Sequence, residues 1–169
     1  EYGLFRMKNK EVWVCSDRSA LNMAYQEMFE EEGKVDKLGV IQGSKLLGAK
    51  IKAPLTDYAH VYCLPMLSIS MDKGTGVVTS VPSDAPDDLA VLREFQKKDK
   101  LREKFGLSDE MVLPFNPREI IEVPGYSRLS AEKACAQFKV KSMNDKKKLA
   151  LAKDEAYKKG FNDGIMLVG

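Results

Sequence analysis

The sequence predicts an α+β fold with a small curved or closed β-barrel core and peripheral helices. In the first half, short apolar segments bounded by glycine, proline or aspartate follow one another closely, which favours a highly curved sheet over a doubly wound parallel one. In the second half, apolar residues recur at helical spacing. A chain of 169 residues can bury most of its apolar surface as one domain without disulfides.

The first elements are a strand at Val12–Cys15 and a helix that Ser16 or Asp17 can cap. The apolar residues of that helix recur at helical spacing and comprise Leu21, Ala24, Tyr25, Met28 and Phe29. Further short strands are expected at 38–42, 49–51, 61–64 and 67–71, the last with the alternation of a half-exposed strand.

The segment 74–88 combines three features. Gly74, Thr75 and Gly76 predict a turn whose missing side chains let a ligand approach the backbone. The β-branched residues 77–81 predict a buried strand, which Pro82 ends. A helix should follow, with Ser83 or Asp84 as its cap and Pro86, Asp87 and Asp88 in its first turn.

Three helices are predicted beyond this segment. The first carries Leu89, Leu92 and Phe95, and its apolar pattern extends through Leu101 and Phe105 to a Gly106 cap. A strand at 119–123 leads into the turn at Pro124-Gly125. The other two helices start near Ser130 and near Asn144 or Asp145, with inner faces formed by Ala131, Ala134, Cys135, Phe138, Leu149, Ala152, Ala156 and Tyr157. We interpret the helical region 96–161 as an appendage to the barrel.

Several kinds of chemistry have little support in the sequence. The formal net charge is +2, and the lysine runs at 97–100 and 146–148 are best interpreted as solvated helix faces rather than RNA contacts. Three widely spaced cysteines are expected to be reduced and structural, with no spacing for a metal site. The one histidine, His60, is best explained as a surface or packing residue. No membrane-spanning run is expected.

Carboxylate chemistry stays open, because Asp84, Asp87 and Asp88 are close in sequence. From spacing alone, decoration of a helix N-terminus is the better explanation of all three. A family resemblance changes this weighting for Asp88. The matching segments are Gly74-Thr75-Gly76, Thr79-Ser80-Val81-Pro82 and the run from Ser83 to Asp88, supported by 47–49, 53–56, 64–66 and 164–168.

These segments resemble the editing domain, or connective polypeptide, of leucyl-tRNA synthetases of the cytosolic or archaeal type. The resemblance implies post-transfer editing, in which a positioned water hydrolyses the ester of misacylated tRNA-Leu while Asp88 binds the substrate α-ammonium. It further implies substrate contacts by Lys73, Gly74, Thr75, Gly76, Thr79, Val81 and Asp84. Residues 71–73 would lie near the adenosine, and 96–161 would be a lineage-specific insertion.

The resemblance also sets expectations about partners. The partner would be the 3′ end of tRNA-Leu, in the cytoplasm, and adenosine-like compounds or boron heterocycles that bridge a ribose diol would bind the same pocket. The editing reaction would need no cofactor, ATP being used only in the synthetic domain of the complete ligase. The family's threonine-rich segment, ending in Arg-Pro-Glu/Asp-Thr, is absent from these residues, and we expect it upstream of Glu1.

Two alternatives belong to other functional classes. The lysine runs and the missing threonine segment fit a non-catalytic module that binds the tRNA acceptor end. The aspartates would also fit an independent small-molecule hydrolase. Retained tRNA binding without deacylation would favour the first alternative, and titration with an aminoacyl-adenosine analogue would test the second.

Overall fold

The structure is a computed structural model that describes residues 1–54 and 56–167. Two compact units are found, Glu1–Thr79 and Ser80–Gly169. The first holds strands β1 to β5 and helix α1, and the second holds helices α2 to α5 and strands β6 and β7.

The elements of the first unit are β1 (Tyr2–Arg6), β2 (Val12–Cys15), α1 (Asp17–Ala24), β3 (Lys37–Ile41), β4 (Lys50–Ile51) and β5 (Val61–Tyr62), with a 3₁₀ turn at Gly43–Lys45. Strand β1 is the centre of an antiparallel sheet of order β2-β1-β3, and β4 pairs with β5. Strand β1 was not predicted from the sequence. Its buried face is formed by Gly3 and Phe5, and a glycine weakens the alternation that marks a strand.

The core of the first unit lies between this sheet and α1. Its buried residues are Phe5, Met7, Cys15, Ala20, Ala24 and Phe29. Helix α1 ends at Ala24, earlier than predicted, so the predicted inner residues Leu21 and Tyr25 are exposed. Phe29 reaches the core from the loop after the helix, where its ring packs edge-on against Phe5 at 6.3 Å between centroids.

Two predicted strands, at 67–71 and 77–81, are absent from the described backbone. Residues 67–71 form turns, and the side chain of Leu67 is 93% exposed. Residues 77–81 are irregular rather than a buried strand, with Val77 and Val78 41% and 60% exposed. The reason is that β-branched residues favour a pleated surface with a neighbouring strand, and no described strand pairs with either segment.

The elements of the second unit are α2 (Pro86–Lys97), α3 (Asp99–Lys104), β6 (Ile121–Glu122), α4 (Ser130–Gln137), α5 (Lys146–Asp163) and β7 (Ile165–Met166), with a 3₁₀ turn at Asp109–Met111. The long helix predicted up to Gly106 is broken at Lys98, whose backbone is extended. Gly106 then ends α3 with a φ of +67°, as predicted. Tyr157 was predicted to face inward but is 47% exposed.

Small residues allow the helices of the second unit to approach one another closely. Leu89 of α2 packs with Ala131 and Cys135 of α4. Ala134 of α4 packs with the α5 residues Ala152 and Ala156. The two helices predicted to start near Ser130 and Asp145 are confirmed. Strand β6 precedes α4, strand β7 follows α5, and the two strands form a short antiparallel pair.

The α+β class is confirmed, whereas the barrel is not found among the described residues. Their strands form sheets of three, two and two strands, and none of the three closes on itself. The closed-barrel core therefore stays a prediction, and so does the assignment of 96–161 as an insertion. Two positions in the segments that carry the family resemblance, Leu55 and Val168, lie outside the described residues.

Candidate functional site

The glycine turn is fixed to the start of α1. Ser16 caps this helix, its Oγ accepting a hydrogen bond from the Ser19 N–H at 3.2 Å. The Ser16 N–H donates to the carbonyl of Thr75 at 2.9 Å, and the Ser16 Oγ lies 3.4 Å from the carbonyl of Gly74. The Arg18 guanidinium donates to the carbonyl of Asp72. The start of α1 thus holds the turn through the backbone carbonyls of residues 72, 74 and 75.

The two glycines of this turn have different surroundings, although both have a positive φ. At Gly76, with φ +78°, an added Cβ would lie 2.7 Å from Met71 Sδ and 3.0 Å from a Tyr2 ring carbon. The Tyr2 hydroxyl also donates to the Gly76 carbonyl at 2.8 Å. At Gly74, with φ +57°, none of the residues that the structure describes lies within 4 Å of the added Cβ. At Gly76 the protein's own side chains therefore pack against the backbone, whereas at Gly74 the backbone is accessible to a ligand.

The other predicted substrate contacts of the first unit lie on its surface. Lys73 and Thr79 are exposed. The Thr75 Oγ1 donates to the carbonyl of Val77 at 2.7 Å and accepts from the Val77 N–H at 3.3 Å. This hydroxyl shapes the chain that follows the turn. Substrate contacts by these residues stay predictions.

The segment that leads into α2 is held by Asp84 in the second unit. Asp84 does not cap the helix: the N-cap is Ala85, which makes no side-chain cap. Instead, one carboxylate oxygen of Asp84 accepts from the Ser83 hydroxyl at 2.6 Å, and the other accepts from the Ser130 hydroxyl at 2.7 Å. The caps predicted at Ser83 and Ser130 are also wrong, because the N-caps of α2 and α4 are Ala85 and Leu129. Both serine hydroxyls donate to Asp84 instead. A substrate contact by Asp84 stays a prediction.

Asp88 lies in the first turn of α2, where the sequence placed it, and its carboxylate turns back toward the chain. Its Oδ2 accepts a hydrogen bond from the Val81 N–H at 2.7 Å. Among the described residues, no hydrogen bond or ion pair involves its Oδ1. The pKa of this carboxyl is raised, chiefly by burial and to a smaller extent by the negative charge of Asp87. The Val81 N–H and the Lys153 ammonium act in the opposite direction and offset only part of the rise.

Lys153 contacts Asp87, the neighbour of Asp88, and was not predicted as a site residue from the sequence. From α5, its ammonium makes an ion pair with Asp87 Oδ2 at 2.7 Å and lies 5.8 Å from the centre of the Tyr157 ring. The hydrogen bond to Asp87 raises the pKa of Lys153. The signal in the sequence was weak, because Lys153 is one of many lysines on that helix.

The remaining candidate groups are accounted for by packing. The His60 ring packs edge-on against Tyr62 at 5.4 Å between centroids. All three cysteines are free thiols, and burial raises the pKa of both Cys63 and Cys135. Within 1–54 and 56–167, no group of three His, Cys, Asp or Glu side chains is arranged to hold a metal ion. No helix in those ranges has the length and apolar character needed to cross a bilayer.

Comparison with known proteins gives concordant matches. No family model matches the chain. The chain is 51% identical over 164 residues to a cytoplasmic leucine–tRNA ligase of Pongo abelii, covering 97% of the chain and 14% of that protein. It is 52% identical over 169 residues to the cytoplasmic enzyme of Dictyostelium discoideum, covering 100% of the chain and 16% of that protein. The chain thus spans about one seventh of the length of these relatives.

Solved structures give the same answer. The crystal structure of GlLeuRS-CP1 matches with a TM-score of 0.89 and 41% identity, over 99% of this chain and 60% of that one. The editing domain of P. falciparum cytosolic leucyl-tRNA synthetase matches with a TM-score of 0.89 and 31% identity, over 99% of this chain and 61% of that one. The chain belongs to the family of leucyl-tRNA synthetase editing domains.

Proposed function

We propose that the chain carries out post-transfer editing, the hydrolysis of misacylated tRNA-Leu, as part of a leucine–tRNA ligase. The observation that carries the proposal is the Asp88 carboxylate, in a chain that matches editing domains over nearly its whole length. One oxygen is fixed by the Val81 N–H and the other has no partner among the described residues. A carboxylate held in this way can orient a ligand ammonium through the second oxygen.

The chemistry needs little more than orientation. An aminoacyl ester is already activated, so a correctly placed water can attack its carbonyl carbon, and the ribose oxygen leaves with the proton that the water loses. Asp88 takes no proton in this scheme. It holds the α-ammonium so that the ester carbonyl occupies one position relative to the water. We propose that no cofactor is required for this step.

Editing also explains why such a domain would be useful to a synthetase. One methylene in an apolar pocket changes binding by about 1–3 kcal/mol, which is too little discrimination in a single step. A second site that hydrolyses the wrong products supplies the rest. The proposed partner is the 3′ end of tRNA-Leu in the cytoplasm, and the relatives named above are cytoplasmic leucine–tRNA ligases.

The contacts implied by the family resemblance complete the proposal. We propose that the ligand is contacted by Lys73, Gly74, Thr75, Gly76, Thr79, Val81 and Asp84 in addition to Asp88. Adenosine-like compounds and boron heterocycles that bridge a ribose diol are proposed as competing ligands. Gly74 supports this part of the proposal, because the space beside its Cα is open.

The test is deacylation of norvalyl-tRNA and isoleucyl-tRNA by the complete ligase with Asp88→Ala. We expect a loss of deacylation on the order of 30-fold or more, since an ammonium would lose its charged partner. Asp99→Ala is the matched control, because Asp99 is an exposed carboxylate in the first turn of α3. Aminoacylation should be unchanged in both variants.

Two results would contradict the proposal. Equal deacylation by the parent and Asp88→Ala would remove Asp88 from the mechanism. A parent ligase in which this domain binds the tRNA acceptor end but deacylates neither substrate would favour the alternative of a non-catalytic binding module, which is consistent with the exposed lysines 146–148.

A further inference from the structure

Lys153 brings a positive charge from α5 to the first turn of α2. Its ammonium lies 2.7 Å from Asp87 Oδ2, and the side chains of Lys153 and Asp87 are 43% and 21% exposed. The two residues are 66 positions apart in the sequence. The pair therefore links the helix start that bears Asp88 to a helix within the region 96–161, which the sequence analysis interprets as an insertion.

The pair matters because Asp87 is the neighbour of Asp88 in the same helix turn. Two carboxylates offered to one ammonium would compete for it, because each attracts a positive charge at short range. Asp88 has one oxygen fixed by the Val81 N–H, so it can hold a cation in one place. Within 1–54 and 56–167, Asp87 accepts no backbone N–H, and its observed partner is Lys153.

We propose that Lys153 is a positioning residue, which occupies Asp87 so that an ammonium-bearing ligand meets Asp88 alone and in one orientation. The inference rests on the proposed editing function. The charged and titratable groups around Asp88 are Asp87 on α2 and Lys153 and Tyr157 on α5, with Asp84 close to Tyr157. Asp84 is itself occupied by the hydroxyls of Ser83 and Ser130.

Single substitutions in the pair should have opposite effects on ligand affinity. Lys153→Met leaves Asp87 as a second, unpaired carboxylate, so an ammonium ligand binds more tightly but in the wrong place. Asp87→Asn leaves an unpaired lysine ammonium, which repels the ligand. The double variant Asp87→Asn/Lys153→Met removes both charges and should restore the parent behaviour, because Asp88 is again the one carboxylate offered to the ligand.

The pH dependence gives a second readout. Burial raises the pKa of Asp88, and Asp87 raises it further, whereas the Val81 N–H and Lys153 lower it. Loss of Lys153 therefore raises the pKa of Asp88. Since Asp88 must be ionised to hold an ammonium, the acidic limb of the deacylation profile should move to higher pH in Lys153→Met. It should return in Asp87→Asn/Lys153→Met, where the neighbouring negative charge is gone.

The experiment uses the complete ligase and a matched pair of ligands. The probes are adenosine carrying norvaline through a stable amide, and the same compound without the amino group, titrated by calorimetry. The ratio of their two Kd values reports the ammonium contact. In parallel, kcat for deacylation of norvalyl-tRNA is measured from pH 5 to 8. The variants are Lys153→Met, Lys153→Arg, Asp87→Asn, the double variant, and Lys158→Met as an exposed lysine of the same helix.

We expect Lys153→Met to lower kcat by roughly threefold while the ratio of Kd values grows in favour of the amine, a size typical of a partly exposed ion pair. Asp87→Asn should shrink that ratio by a similar factor. Lys153→Arg, Lys158→Met and the double variant should match the parent. These three together separate a charge effect from a packing effect.

Two outcomes would overturn the inference. If Lys153→Met has the same kcat, the same ratio of Kd values and the same pH profile as Lys158→Met, the ion pair has no positioning role. A double variant as impaired as Lys153→Met would show that Lys153 acts through packing. Either result leaves the proposed role of Asp88 intact if Asp88→Ala still lowers deacylation on the order of 30-fold or more. Deacylation by Asp88→Ala equal to that of the parent would remove Asp88 from the mechanism, and a parent ligase that deacylates neither substrate would remove the proposed function.

Discussion

The glycine turn at 74–76 and the helix start at 84–88 have different physical roles in the structure. Both were predicted as contact points for a ligand, each in its own half of the segment. At Gly76, however, Met71 and Tyr2 fill the space that the missing side chain leaves. At the helix start, three carboxylates have three kinds of partner: two hydroxyls for Asp84, an ammonium for Asp87 and one N–H for Asp88. Residue type therefore indicates a possible site, and the partners decide which residue is available to a ligand.

Solvent exposure alone does not decide whether a carboxylate can bind a ligand. Asp84 and Asp88 are both partly buried acids near one helix terminus. Asp84 has both oxygens occupied, while Asp88 has one. The first arrangement stabilises a loop, and the second can accept a further charge. Substitutions at these positions should therefore differ in their effects on stability.

Gly76→Ala should destabilise the chain by about 3 kcal/mol in chemical denaturation. The positive φ costs alanine about 1–2 kcal/mol, and the contact with Met71 Sδ adds overpacking. Gly74→Ala is the control, with only the backbone cost of about 1 kcal/mol, because its added Cβ has no described atom within 4 Å. Equal losses would show that the space beside Gly76 is not filled as described.

Ser130→Ala should lower the free energy of unfolding by about 2 kcal/mol. The Ser130 side chain is buried, and its hydroxyl bond to the Asp84 carboxylate at 2.7 Å is charge-assisted. Asp88→Asn should not destabilise the chain at pH 7, because an amide oxygen can still accept from the Val81 N–H and no charge is buried. Denaturant titration of both variants measures the difference. If Asp88→Asn were the more damaging substitution, Asp88 would be the structural carboxylate.

The pH dependence of stability should have opposite signs at Glu94 and Asp88. Burial acts to raise the pKa of Glu94, but hydrogen bonds from Lys98, Met143 and Ser142 outweigh it, so the pKa is lowered from its ordinary value of 4.5. Ionised Glu94 thus stabilises the folded state above pH 4.5, and this stabilisation is lost as pH falls through the lower folded pKa. Glu94→Gln should therefore be more destabilising at pH 7 than in acid.

For Asp88 the sign is reversed. Its folded pKa is raised from the ordinary value of 3.8, mainly by burial, so folding disfavours its ionised form. The cost is present above the folded pKa and disappears as pH falls toward 3.8. Asp88→Asn should remove this cost at pH 7, and unfolding curves from pH 3 to 7 check it. Parallel pH curves for Glu94→Gln and Asp88→Asn would contradict the assignment.

The smallest expected effect is that of Lys153→Met on stability, roughly 0.5 kcal/mol, because the pair with Asp87 is partly exposed to solvent. Added salt should reduce the effect by screening. Lys158→Met gives the baseline for thermal unfolding. A loss of several kcal/mol would mean that the pair is a structural contact and not a group that adjusts charge near Asp88.

Features that depend on interactions between neighbouring residues, such as helix starts and helix faces, were predicted correctly from the sequence. Ser16 caps α1 because its hydroxyl reaches an N–H three residues on, and Pro86 begins α2 because its fixed φ suits a first helical turn. Asp88 follows at a fixed position in that turn. The small residues of α4 and α5 likewise face inward at helical spacing. These features depend on a few consecutive backbone angles.

The tertiary structure decided which of these groups are occupied. Asp84 finds Ser130 at a distance of 46 residues in the sequence, and Asp87 finds Lys153 at 66. Propensity placed a strand at 77–81, but a strand also needs a partner, and none of the described strands provides one. The physical reason is the same in each case: backbone conformation is set locally, whereas a hydrogen-bond or charge partner is supplied by whichever distant segment the fold brings near.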